Sequence, residues 1–452
     1  MYRLIHEMNR ETKIRVRTAV GTTSSEYTGE GVGQGTLDGA IISACSIDYT
    51  VNNFFSKSSC EVSYGGLSLQ PLLFQDDIFR MCSDIPSAQM GNEFIDAVME
   101  TKLLDFNLDK SCFIVTGSKQ AQKDIRNSLK LTPLYLSGKL MKEGTAEKYL
   151  GDYISANGLS DSVMVTINNR HKKVTTALME IRAVMEDCRA LVTGGIMTGI
   201  EIWETAVIPY LLNNSETWDN IPPKALEILD DLQNQFLQNL LATPRTCPTP
   251  SLMWETGTIS MGNKIIKKKL LFYHHLSHLP EESLAKEVAQ IQSNLALPGL
   301  ILECAALVCD MGLPEAGSCS KLQWKKIVNE KIRQKNRKDI LDNIETKNYK
   351  KLDLDELKAE KFERKPYLTE LNMQSARTKF ALRTKMTKTV KLNFKNDPVN
   401  KKTLWKCNDC SSIDSQEHIL WCPAYGHLRM NKDLQDDKHL TRYFQQVLQL
   451  RD

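Results

Sequence analysis

The run Cys407-Asn408-Asp409-Cys410, followed by His418 and Cys422, has the spacing C-x2-C-x7-H-x3-C. No other feature of the chain restricts its folding as tightly. Two thiols on a knuckle, closed by an imidazole and a thiol from the following turn, can take the four corners of a tetrahedral Zn²⁺ site. A segment this short cannot bury a core large enough to hold itself together, so a metal staple is what would let it fold. A chance CxxC is the competing explanation in a chain with twelve cysteines, but four suitably spaced donors in one short segment favour zinc. His427 is an alternative to Cys422 as the fourth donor. With every position filled by protein, the ion would be structural and would not activate water. The expected product is a small module that contacts RNA or DNA.

The remaining cysteines are scattered without ligand spacing, which suits a reducing compartment and not a disulfide scaffold. Cys304, Cys309 and Cys319 are expected to be buried thiols. The start, Met1-Tyr2-Arg3-Leu4-Ile5-His6-Glu7, carries charges where a secretory signal needs an apolar run. The longest apolar stretch, Leu295 to Val308, is broken by Pro298, Gly299 and Glu303, so no membrane span is expected. These features predict an intracellular protein of the nucleus, the cytoplasm or both.

The formal net charge of +3 hides an uneven distribution. Residues 321–402 hold 24 Lys and Arg against 11 Asp and Glu, and the rest of the chain is acidic. Where acids are interleaved, over Lys347 to Lys365, a solvated helical face is the simpler reading. Beyond it, Arg377, Lys379, Arg383, Lys385, Lys388, Lys391 and Lys395 are almost free of acids. They are the expected nucleic-acid contacts, with Phe380 and Phe394 as candidates to stack on bases.

Near the other end, Leu72-Leu73-Phe74 and Ile78-Phe79-Arg80-Met81 read as short strands joined by a tight turn over Gln75-Asp76. Asp76 and Asp77 would then sit at a hairpin tip, where adjacent carboxylates can hold Mg²⁺ beside a phosphate. An acidic pair in a turn is usually only solvated turn chemistry. Upstream, Gly31-Val32-Gly33-Gln34-Gly35-Thr36-Leu37-Asp38-Gly39 opens an apolar run. Such glycines let backbone approach a nucleotide closely, though a plain loop reads the same way.

In this order the two segments resemble the B and C boxes of reverse transcriptases. Further likenesses follow: Asn107-Leu108-Asp109-Lys110-Ser111 resembles the D box, and Glu147-Lys148-Tyr149-Leu150-Gly151-Asp152-Tyr153-Ile154 is similar to the E box, or primer grip. Leu229-Asp230-Asp231-Leu232-Gln233-Asn234-Gln235-Phe236, Pro244-Arg245, the run Pro248 to Gly257 and the C-terminal Cys/His cluster resemble the non-LTR retrotransposon branch. The likeness runs from about residue 15 to about residue 425.

The resemblance implies an α+β chain: a truncated right-hand palm over 1–155, a helical thumb over 156–320, a basic helical linker over 321–402, a CCHC zinc knuckle over 403–428 and a final helix within 429–452. It also implies RNA-directed DNA polymerase ancestry, with Asp76 and Asp77 binding Mg²⁺ and Gly33, Gln34 and Gly35 near the nucleotide. Tyr149, Leu150 and Gly151 would hold the primer, and Lys110 would protonate the departing pyrophosphate; a plain surface lysine is the alternative there. RNA template and DNA primer, or single-stranded nucleic acid, would be the partners. Two-metal transfer, however, needs carboxylates from separate strands, and the family's A-box aspartate has no counterpart, since the first aspartate of the chain is Asp38. The expectation is therefore a truncated chain, inactive alone unless a partner chain completes the palm. A non-catalytic nucleic-acid-binding protein is the alternative, and an unstable relic with unpaired sheet edges is a third reading.

Two helices can also be read from the sequence. Pro222-Pro223-Lys224 starts one whose apolar positions run from Leu226 to Leu240. A basic amphipathic helix ends in His274, His275 and His278, where packing or phosphate contact is favoured over metal binding.

Overall fold

The computed structural model describes residues 62–69, 71–74, 77–101, 104–188, 194–347, 349, 354–387, 406–429, 434 and 436–451, with short strand pieces between 12 and 28. Side chains at 181–188 are outside that description. The chain divides into two compact units, Met1–Glu147 and Lys148–Asp452. It is mostly helical, with small sheets.

In the first unit every described sheet has two strands. Leu72–Phe74 and Asp77–Phe79 form the expected hairpin, with Phe74 opposite Asp77. One parallel pair joins Cys112–Phe113 to Lys142–Glu143. The core here is small: Ile95 and Met99, from the helix Ile85–Thr101, pack with Leu73, Ile78, Phe94 and Phe106. Two-stranded sheets are marginal without such backing, so this helix is what holds the hairpin.

The second unit is built on long helices, among them Leu159–Cys188, Pro223–Leu240, Met261–Ser277 and Lys321–Lys347. Pro223 lies in the first turn of its helix, where its missing N–H costs nothing. The stripe Ala225, Leu229, Leu232, Phe236, Leu237 and Leu240 is buried. Phe236 stacks on Trp203, ring centres 4.6 Å apart, in the largest core.

The helix Lys321–Lys347, expected as part of a linker, packs into this unit. Its buried residues fall at a strict interval of four: Trp324, Val328, Ile332, Asn336, Ile340 and Ile344. An α-helix turns about 400° in four residues, so such a stripe winds about 40° per step around the axis. Its two ends must therefore meet different partners. Trp324, Val328 and Ile332 pack with Leu270 and Leu313, whereas Ile340 and Ile344 pack with Met253 and Trp254. Asn336, the one polar member, stands at the changeover. It accepts hydrogen bonds from the Ser260 amide at 2.9 Å and Asn263 Nδ2 at 3.1 Å, anchoring the start of Met261–Ser277.

An ionic hub ties the helix Thr249–Thr256 to Met373–Arg383. Glu255 accepts from Arg383 Nε at 2.9 Å and from the Tyr367 hydroxyl at 2.8 Å. Glu360 accepts from Arg383 Nη2 at 3.1 Å, from the Trp254 indole N–H at 3.2 Å and from Lys365. Burial alone would raise the Glu360 carboxyl. The donors Lys365, Trp254 and Arg383 outweigh it and hold the group at about 2. A carboxylate depressed in the folded state stabilises fully above its unfolded value near 4.5, and that contribution disappears as pH falls toward 2. Urea titrations at pH 5 and pH 3 should therefore show a stability loss of up to about 2 kcal/mol. Glu360→Gln should flatten that slope; an unchanged slope would mean the hub does not stabilise the fold.

Candidate metal centre

The donor atoms of Cys407, Cys410, His418 and Cys422 all lie within 4.8 Å of one another. Local sequence explains how they meet. The Cys407 amide donates to the Ser412 carbonyl at 2.7 Å, and the Ser411 amide donates back to the Cys407 carbonyl at 2.9 Å. Ser411 takes the left-handed conformation that closes this knuckle, with φ +62°. Ser415 caps the helix Gln416–Trp421 by accepting from the His418 amide at 3.1 Å. That helix places His418 toward Cys410 and delivers Cys422 at its end.

The distances fit a metal. The Cys407–Cys422 sulfurs are 3.9 Å apart, Cys410–Cys422 3.7 Å, and Cys410 Sγ to His418 Nε2 3.2 Å. Zn–S bonds of about 2.3 Å in a tetrahedron give sulfur–sulfur edges of about 3.8 Å. A disulfide would need about 2.05 Å. His427, the alternative donor, is not in the cluster; Cys422 is the fourth member. Among the described residues, no other group of three or more His, Cys, Asp or Glu side chains could hold a metal, so nothing there supports a Mg²⁺ site.

The surroundings suit three thiolates and a dication. Burial pushes the Cys422 thiol up to about 11, while the Ser412 backbone N–H lowers Cys410. A bound Zn²⁺ would offset the cost of ionising all three, leaving one net negative charge. Arg451 is set against that charge, its Nη2 3.8 Å from Cys407 Sγ. The same guanidinium donates to the Tyr425 hydroxyl at 2.9 Å and pairs with Asp414 at 2.9 Å. Tyr425 in turn donates to Asp409.

The module extends beyond the knuckle. Cys407, Ile419, Cys422 and Tyr425 share one core with Tyr443, Phe444 and Val447 of the C-terminal helix Asp437–Arg451. Thr387 donates to Gln416 at 2.6 Å, and Gln416 to the Leu382 carbonyl at 3.1 Å, fastening the module to Met373–Arg383. The sequence carried no signal for Arg451 or Tyr425, because their role depends on this docking.

Elsewhere the expected site residues are placed as follows. Gly33, Gln34, Gly35, Asp76, Lys388, Lys391, Phe394 and Lys395 lie outside the described residues. Asp77 is exposed at the start of its strand, and Lys110 is exposed in a turn, its amide 3.0 Å from the Asn107 carbonyl. Leu150 and Gly151, both at positive φ, form the turn after Tyr149, between strands Ala146–Tyr149 and Asp152–Ser155. Asn214 Nδ2 donates to the Leu150 carbonyl at 3.0 Å, and Arg170 to the Gly151 carbonyl at 2.8 Å.

Three of the expected nucleic-acid contacts are engaged within the chain. Arg377 donates to the Leu240 carbonyl at 2.9 Å, Lys379 pairs with Asp437 at 2.7 Å, and Arg383 is held by Glu255 and Glu360. Lys385 is exposed. Phe380 is wholly buried in the main core, which corrects the expectation that it stacks on a base. Cys304 is buried as expected, its thiol raised to about 12 by burial, but Cys309 is exposed and Cys319 half-buried. His274 is buried, stacked on His278 and Trp324, with Nε2 2.9 Å from the Cys319 carbonyl. Of the two roles expected for these histidines, His274 takes packing.

No helix among the described residues is long and apolar enough to cross a membrane. No family model matches the chain, and comparison with curated proteins returns no match.

Proposed function

We propose that this protein binds single-stranded RNA or DNA through its zinc-ordered C-terminal module, and that its chain derives from a non-LTR reverse transcriptase. The observation that carries the binding reading is Trp421. It adjoins the ligand Cys422 and is 77% exposed, whereas Trp203, Trp218, Trp254 and Trp324 are all buried. Ile413, on the knuckle itself, is 54% exposed. An indole held open on a rigid, metal-stapled surface is a platform for a nucleobase, because every base offers a face to stack. Lys385 and Lys406 are exposed cations of the same C-terminal region and would meet phosphates.

The polymerase ancestry rests on the order of the boxes. On that reading residues 1–155 are palm and 156–320 thumb. A further carboxylate, beyond the Asp76-Asp77 pair, would be needed from another strand or a partner chain before Mg²⁺ could drive transfer.

Two measurements test this. Fluorescence anisotropy with a single-stranded RNA should give salt-sensitive binding that Trp421→Ala weakens by about 1–3 kcal/mol with zinc content unchanged. Binding indifferent to Trp421 would remove the stacking platform from the proposal. Primer extension on an RNA template in Mg²⁺ or Mn²⁺ should give no product. Extension that disappears in Asp76→Asn/Asp77→Asn would show a competent polymerase instead.

A further inference from the structure

The four donors supply the ligands of a metal, but they do not settle the charge that a filled site would carry. Three thiolates and an imidazole around Zn²⁺ leave one net negative charge. Carboxylates stand close to it. Asp409 Oδ2 is 3.8 Å from Cys407 Sγ, and Asp414, on the same knuckle, is 1% exposed. Like charges this near a half-buried thiolate repel more strongly than they would in water.

One cation stands between them. Arg451 Nη2 lies 3.8 Å from Cys407 Sγ and 2.9 Å from Asp414 Oδ1, so a single nitrogen faces both a ligand sulfur and a buried carboxylate. The rest of the fork is engaged as well. Nη1 donates to Asp414 Oδ2 at 3.1 Å and Nε to the Tyr425 hydroxyl at 2.9 Å, with the guanidinium 5.2 Å from the centre of that ring. Tyr425 in turn donates to Asp409. Pairing with both oxygens of Asp414 fixes the plane of the guanidinium, which keeps its charge against Cys407. Groups that hydrogen-bond to a metal ligand from outside are typically worth about 10–100-fold in metal affinity.

We propose that Arg451 is a positioning residue of the metal centre: its guanidinium offsets the charge on Cys407 against Asp409 and Asp414, and so couples metal affinity to the docking of the helix Asp437–Arg451. The role depends on zinc filling the four-donor site, but not on nucleic-acid binding. Such a coupling is reciprocal. Whatever undocks the last turn of that helix weakens the metal, and the bound metal holds the helix in place.

The probe is Co²⁺, titrated into the reduced, metal-free full chain and followed by its absorption, which reports thiolate ligation and tetrahedral geometry; Zn²⁺ is then used to displace it. Arg451→Met should weaken both metals about 10–100-fold, while its spectrum at saturation matches that of the unsubstituted chain. Arg451→Lys restores the charge without the fork and should recover at least about threefold of the loss. Asp409→Asn removes an exposed carboxylate beside Cys407 and should tighten binding in the Arg451→Met background, an effect that a purely packing role would not produce. A loss within about twofold in Arg451→Met would overturn the proposal. So would an altered spectrum at saturation, equal losses in Arg451→Met and Arg451→Lys, or no recovery from Asp409→Asn, since each would make Arg451 a packing element. No thiolate-to-cobalt absorption in the unsubstituted chain would overturn the zinc reading together with this one.

Discussion

Removing zinc, by chelation or by Cys407→Ser, is expected to unfold the C-terminal module as a unit, from the knuckle through the helix Asp437–Arg451. The reason is that the ligands are themselves core residues. Cys407 and Cys422 are buried beside Ile419, Tyr425, Tyr443, Phe444 and Val447. Structural zinc sites carry about 10–16 kcal/mol of apparent binding free energy, comparable to or above the whole stability of a typical domain. One zinc per chain should be found in the native protein and none in Cys407→Ser. Limited proteolysis should then open the Asp437–Arg451 helix while the fragment carrying Trp203 and Phe236, in a separate core, persists. His427→Ala should retain the metal. An unchanged digestion pattern in zinc-free protein would mean that the apolar core alone holds the module.

The largest effect away from the metal is expected at Arg170. Its side chain is 6% exposed and pairs with Asp152 at 2.5 Å. It donates to the carbonyls of Leu211 at 3.1 Å, Asn213 at 2.8 Å and Gly151 at 2.8 Å, and lies over the Trp218 ring. Four acceptors from two chain segments thus converge on one guanidinium. Arg170→Met fills similar space but leaves those acceptors, and a partly buried carboxylate, without their donor. Breaking a buried ion pair on one side costs about 3–5 kcal/mol, so the midpoint of urea unfolding should fall by more than for any single exposed substitution. Arg170→Lys should recover little, since an ammonium cannot span the fork. A loss below about 1 kcal/mol would place the pair in the class of weak surface bridges.

The same contrast explains Arg383. Cations from Arg377 onward are nearly free of acids in sequence, which suggested phosphate contacts. Arg383 instead reaches Glu255, 128 residues away, and Lys379 reaches Asp437, 58 residues away. Local charge counting is blind to partners at that separation.

What could be read directly was local. The four Cys and His donors lie within one short segment, so their spacing alone predicted the cluster, and the distances between their sulfurs are compatible with a structural zinc. The hairpin Leu72–Phe74/Asp77–Phe79, the Pro223 helix start and the final helix are likewise set by turn chemistry and periodicity over a few residues. Choosing Cys422 over His427 needed the path of the chain after Trp421. The burial of Phe380, the convergence on Arg170, the docking of Arg451 beside Cys407 and the buried, unpartnered amide nitrogen of Asn336 were decided only by tertiary packing. Each depends on which distant segment supplies the facing group, and periodicity reports which face of an element is buried without naming what it is buried against.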